Sequence, residues 1–241
     1  MGYVLNFQVL IMRESITENI KKVRERIAIA AKNSGRSESD IQIVAVSKLQ
    51  PVEKIITARQ AGIEIFGENR VQELLAKMDS VKQVLRWHLV GHLQSNKVNK
   101  IIGSVEMIQS VDSLPLIEKL ASSAKERTLT IKVLLQVNTS GEASKYGFED
   151  SEVFSACELV EKLSHIEVKG LMTIGPLTDN IKRIIKSFAA LRNLSQQIAK
   201  SASEKINMTY LSMGMSGDYE LAIEEGSNLV RIGTAIFGAR T

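Results

Sequence analysis

Eight short apolar runs, each followed by a stretch of helical spacing, constrain this chain more than any other feature. The strand-length runs are 41–47, 63–66, 85–90, 106–110, 131–138, 166–172, 208–212 and 228–232. Amphipathic stretches fill the gaps at 51–61, 69–80, 95–102, 113–127, 150–164, 179–204 and 217–225, and a short helical end is expected over 234–239. Such alternation predicts parallel strands joined by right-handed helical crossovers. Eight units in 241 residues come close to the ~250 typical of a (β/α)8 TIM barrel. A doubly wound open sheet is the competing arrangement.

One further helix precedes the first strand. Ile16, Ile20, Val23, Ile27 and Ala31 recur at helical spacing, and Asn33-Ser34-Gly35 ends the run. Ser15-Ile16-Thr17-Glu18 has the form of a capping box and predicts a helix start there. Residues 1–11 read as an N-terminal extension, with Met12 the natural beginning of a single domain over 12–241.

Composition narrows the partners. Hydrophobic residues make up 44%, enough for a large core and against disorder. The net charge is +4, and no run of five like charges appears. Nucleic-acid binding therefore has no dedicated footprint, while a basic pocket for a small anion fits. No segment reaches the ~18 apolar residues of a membrane span. The single cysteine, Cys157, excludes an internal disulfide and reads as a buried helical thiol. A cytoplasmic protein, able to bury its core as a monomer, is the expectation.

In a barrel of this kind, chemistry sits on the loops after the strands. The first strand, Ile41 to Ser47, ends in Lys48. Strand alternation sends Ile41, Ile43, Ala45 and Ser47 one way, and Val44, Val46 and Lys48 the other. Burial disfavours the ammonium form, so a lysine at this rim can become a nucleophilic amine; the plain reading is a lysine that begins a solvated turn. Lys145, in the polar loop Asn138 to Gly147, is the rival nucleophile, and its glycine-rich surroundings read as exposed.

The last two strand ends carry Ser212-Met213-Gly214-Met215-Ser216-Gly217-Asp218 and Gly233-Thr234-Ala235. Glycines let backbone N–H groups approach an anion, and the loops after strands seven and eight commonly hold phosphate in such barrels. Ordinary turn chemistry explains either loop alone. Asp218 and Glu220 fall in the same first turn and are expected to point outward. Arg231 lies inside the last strand, where it must be paired or meet a ligand. His88 and His92 lack a third ligand at fitting spacing, so no metal site is expected. A strand-end lysine, a phosphate cup and an arginine are what pyridoxal 5'-phosphate requires: an amine for its aldehyde, donors for its phosphate and a partner for its ring nitrogen.

Several motifs carry a resemblance. They are Val44-Ala45-Val46-Ser47-Lys48, Phe66-Gly67-Glu68-Asn69, Trp87-His88-Leu89-Val90-Gly91-His92-Leu93-Gln94-Ser95-Asn96-Lys97, Gly170-Leu171-Met172, Ser212 to Ser216 and Val230-Arg231-Ile232-Gly233-Thr234. Through them the chain resembles the YggS/PROSC family of pyridoxal-phosphate-binding homeostasis proteins, related to the barrel domain of alanine racemase. The resemblance implies a pyridoxal phosphate fold type III barrel without the second domain. It implies that Lys48 forms the Schiff base, that Ser216, Gly233 and Thr234 hold the phosphate, and that Arg231 faces the pyridine nitrogen. Asn69 and Met172 would line the pocket, and Ser212, Gly214 and Met215 are expected to bind the cofactor with them.

The implied function is intracellular vitamin B6 homeostasis, as a carrier or buffer without turnover that hands the cofactor to apo-enzymes, with neither nucleic acid nor membrane as a partner. A weakly active racemase-like enzyme is the alternative. A sugar or amino-acid biosynthetic barrel enzyme that binds phosphate without vitamin B6 stands only if the resemblance misleads.

Overall fold

The alternating runs close into a ring. In the computed structural model, eight parallel strands pair in sequence order, and the last pairs with the first. The strands are β1 (Gln42–Val46), β2 (Ile65–Glu68), β3 (Arg86–Leu89), β4 (Met107–Val111), β5 (Ile131–Gln136), β6 (Ile166–Met172), β7 (Ile206–Ser212) and β8 (Leu229–Ile232). The helices are α1 (Gly2–Asn33), α2 (Val52–Gln60), α3 (Val71–Ser80), α4 (Val98–Ile101), α5 (Leu114–Glu126), α6 (Asp150–Lys162), α7 (Ile181–Ala199), α8 (Tyr219–Glu224) and α9 (Thr234–Phe237). The structure describes residues 2–81, 83–142, 145–201 and 203–239, with side chains from Met12 onward. The closed ring excludes the open sheet.

Two apolar layers follow from strand alternation. Val44, Ile65, Val90, Met107, Leu134, Met172 and Leu229 fill the barrel interior. The opposite strand faces, such as Ile43, Ala45, Trp87, Leu89, Val230 and Ile232, pack against the helices. Strands apolar on both faces are what a covered parallel sheet requires.

The N-terminal helix departs from expectation at its start. α1 begins at Gly2 and passes straight through Ser15, so the Ser15–Glu18 box caps nothing. The stretch before it holds neither proline nor another stop signal, and the helix therefore extends through it. The expected extension over 1–11 is thus continuous with α1 from Gly2 on. Ile16, Ile20, Val23, Ile27 and Ala31 are all buried. They lie against α2, α8 and α9, which α1 contacts. The last two helices are short, and α1 supplies the cover they cannot. Asn19 Nδ2 donates to the Ile236 carbonyl at 3.0 Å, and Arg26 pairs with Glu220.

The gap at 95–102 is only partly α-helical. A 3-10 turn over Ser95–Lys97 leads into the single turn of α4.

Candidate functional site

Strand β1 brings the site's first residue to the barrel mouth, in the turn that follows Val46. Val44 and Val46 point into the barrel, and Lys48, two residues further, lines a cavity of about 390 Å³ at the mouth. Six other expected residues line the same cavity: Asn69, Met215, Ser216, Arg231, Gly233 and Thr234. Asn69 is set by a close approach. A Cβ on Gly91 would stand 2.4 Å from the Asn69 carbonyl oxygen, so glycine there lets the end of β3 lie against the β2 loop.

Arg231 enters the cavity from β8 and is 4% exposed. Its Nη1 donates to Ser212 Oγ at 2.6 Å, and its Nη2 donates to the Thr173 carbonyl at 2.7 Å. Among the described residues no carboxylate bonds it directly, and burial pushes its pKa down to about 10, with Asp218 opposing. It remains a cation at neutral pH. Ser212 Oγ passes the hydrogen bond on to Gln109 Oε1 at 2.7 Å, and Gln109 Nε2 meets His88 Nδ1 at 2.8 Å. A polar chain thus crosses the barrel from β8 to β3 beneath the cavity.

The two glycine loops meet on the far side. Ser216 Oγ accepts from the backbone N–H groups of Gly233 and Ala235, each at 3.2 Å. Ser216 and Thr234 hydroxyls and the peptide of Gly233 therefore share one corner, a donor set suited to a small anion. Asp218 does not point outward as expected. Its Oδ1 accepts from the Met215 N–H at 2.6 Å and closes the loop from within, and burial raises its pKa. A free N–H at the end of β7 had to find an acceptor, and Asp218 is the nearest in sequence. Glu220 does face outward, toward Arg26.

Three expected lining residues support the cavity instead. Met172 is wholly buried in the inner apolar layer, Ser212 is wholly buried beneath Arg231, and the Gly214 carbonyl accepts the Arg231 N–H at 3.0 Å. Val46, Gln50, Val90, Ile174, Gly217 and Gly238 complete the lining. Val46 could have been found by counting two back from Lys48; Ile174 and Gly238 sit in loops whose fold decides their direction.

The rival groups lie elsewhere. Lys145 Nζ donates to the Gly175 carbonyl at 2.7 Å and pairs with Glu142 at 3.4 Å. It is less exposed than its glycine-rich surroundings suggested, because it ties the β5 loop to the β6 loop. His92 Nδ1 meets Asp112 at 2.8 Å and stacks on Tyr146 with ring centroids 4.0 Å apart. Burial pushes the Cys157 thiol up to about 11, which makes it unreactive. Among the described residues, no group of three or more His, Cys, Asp or Glu is placed to hold a metal ion, and no helix is long and apolar enough to cross a membrane.

Comparison with known proteins accords with this geometry. Residues 11–241 match the family described as "Alanine racemase, N-terminal domain". The Vibrio cholerae protein named "Pyridoxal phosphate homeostasis protein" is 40% identical over 231 residues, covering 94% of this chain and 97% of its own length. PipY of Synechococcus elongatus, solved with PLP bound, superposes with a TM-score of 0.81 at 34% identity, over 92% of this chain and 100% of that one. The alanine racemase of Clostridium difficile shares the fold at a TM-score of 0.77 and 16% identity, over 94% of this chain and 57% of that one. The chain belongs to the alanine racemase N-terminal domain family, within the branch whose curated relatives are named pyridoxal phosphate homeostasis proteins.

Proposed function

We propose that this chain binds pyridoxal 5'-phosphate and serves vitamin B6 homeostasis as a carrier or buffer of the cofactor. The observation that carries this reading is the meeting of Lys48, Arg231 and the Ser216–Thr234 corner on one cavity. Its size falls within the ~300–1,000 Å³ of small-ligand pockets. The homeostasis relative and the PLP-bound PipY structure support the ligand.

The donor set fits the cofactor's chemistry. Bound pyridoxal phosphate supplies an aldehyde at one end and a phosphate at the other. Lys48 would supply the amine for that aldehyde, Ser216, Thr234 and the Gly233 peptide would hold the phosphate, and Met215 and Asn69 would line the space between. Ser212, Gly214 and Met172 set the positions of these groups from below. Arg231 would face the pyridine nitrogen and keep its own proton, since even at about 10 its pKa lies well above neutrality. A ring nitrogen opposite a permanent cation is a poor proton acceptor, and this weakens the cofactor as an electron sink.

Two features favour carriage over turnover. Racemisation needs a second acid or base across the cavity from Lys48, and Tyr146, on the loop after β5, stacks on His92 and is not among the residues that line the cavity. The cavity also opens to solvent, which suits exchange with apo-enzymes as recipients and weakens the electrostatics that catalysis relies on. Purified protein mixed with pyridoxal phosphate is expected to show a visible absorption band. Borohydride reduction and mass spectrometry should place the adduct on Lys48, and Lys48→Ala should lose the band while keeping its circular dichroism. An adduct on Lys145 would overturn the assignment. Sustained racemisation of alanine or serine at ordinary enzymic rates would overturn the carrier reading.

A further inference from the structure

A buried ion cluster lies directly behind the strand end that bears Lys48. Lys77, on α3, is 7% exposed, and Glu68, at the end of β2, is 0% exposed. Lys77 Nζ donates to Glu68 Oε1 at 2.5 Å, to Glu73 Oε1 at 2.7 Å and to the Ser47 carbonyl at 2.6 Å. An ammonium has three protons, so each has its acceptor and Lys77 is no rival amine.

The same carboxylates hold the chain on either side of Lys48. Ser47 Oγ donates to Glu68 Oε1 at 2.7 Å, and the Leu49 N–H donates to Glu73 Oε1 at 2.6 Å. Leu49 is held at φ 60°, a left-handed conformation that residues other than glycine seldom adopt. Lys48 is therefore bracketed by two residues tied to one cluster, one of them in strained backbone.

Core stability does not account for this arrangement. A buried ion pair is commonly no more stable than apolar side chains filling the same space. Glu68 Oε2 has no hydrogen-bond partner, and burial raises the Glu68 pKa. What the cluster does determine is the course of the backbone through Lys48. We propose that Lys77, acting with Glu68 and Glu73, is a positioning residue that aims the Lys48 amine into the cavity. This rests on the reading of Lys48 as the attachment point.

The test separates positioning from folding. The double variant Lys77→Met/Glu68→Gln removes the two buried charges together and leaves Glu73, which is partly exposed, with its bond from the Leu49 N–H. It is expected to unfold near the wild-type temperature, yet to form the visible band with added pyridoxal phosphate at a rate lower by about tenfold or more, since a displacement of about 1 Å at a reacting group has effects of this order. The pH at which the band forms should shift as well. Glu73→Ala, which releases only the Leu49 tether and one Lys77 contact, should slow loading to a smaller extent. Wild-type loading rate and pH profile in the double variant would overturn the proposal. Loss of stability and loading together in the double variant, with wild-type loading in Glu73→Ala, would also overturn it by marking the cluster as structural. Failure of the attachment reading shows separately, as an unmutated protein that gives no band through Lys48.

Discussion

His88 shows how a residue inside the barrel records its surroundings. It is 2% exposed, takes one hydrogen bond from Gln109 at Nδ1, and leaves Nε2 without a partner. Burial pushes its pKa from 6.5 down to about 4. The folded form therefore binds fewer protons than the unfolded chain between those values. Stability should be complete above about pH 6.5 and should fall as pH drops toward 4, by at most about 3 kcal/mol. Urea midpoints of wild type and His88→Gln between pH 4 and 7 check this: the wild-type slope should flatten in the variant, and equal slopes would assign the acid sensitivity to other groups. Arg231 was legible in the sequence because alternation within β8 decides its direction, and Lys48 because it follows at once on the end of an apolar strand. Lys77 was not. It stands between Ala76 and Met78 in an amphipathic helix, where a lysine ordinarily reaches for the solvent face, and its buried carboxylate partner, Glu68, comes from the folded packing of α3 against the barrel.

Among the elements, the segment from β7 to α8 turns on one backbone position. Gly214 has φ 91°, and a Cβ there would stand 2.5 Å from the Ala222 Cβ and 2.8 Å from the Tyr219 Cα. Gly214→Ala must shift either α8 or the loop. The loop carries Ser216 above and accepts the Arg231 N–H below, so both ends of the cavity would move. A loss of about 1–3 kcal/mol is expected, with weaker cofactor retention, measured by urea unfolding and equilibrium dialysis. A wild-type midpoint would mean that the loop relaxes without cost. The strands and most helices were legible from periodicity, since most bury a largely apolar face. The start of α1 was not, because a capping sequence inside a helix looks the same as one at its end. The inward turn of Asp218 was also hidden, because it answers a backbone N–H whose need arises only when the loop folds.

At the scale of the whole molecule, ring closure joins site formation to folding. β1 pairs with β8, with Val44 opposite Arg231, so Lys48 and Arg231 meet only when the two ends of the barrel meet. A ligand that binds only the closed ring stabilises the entire fold by RT ln(1 + [L]/Kd), about 2.7 kcal/mol at a hundredfold excess over Kd. The cavity offers two separate handles, the Lys48 amine and the anion corner of the last two loops, and their contributions can be measured apart. Pyridoxal phosphate should raise the melting temperature of wild type more than pyridoxal, which lacks the phosphate. Lys48→Ala should keep part of the rise given by pyridoxal phosphate, because Ser216, Gly233 and Thr234 remain. Ser216→Ala/Thr234→Ala should lose some stability without ligand, because the Gly233 and Ala235 N–H groups lose their acceptor, yet its melting temperature should respond to pyridoxal phosphate little more than to pyridoxal. Equal shifts from both compounds in the unmutated protein would remove the anion grip from these loops and leave their glycines with a purely structural role.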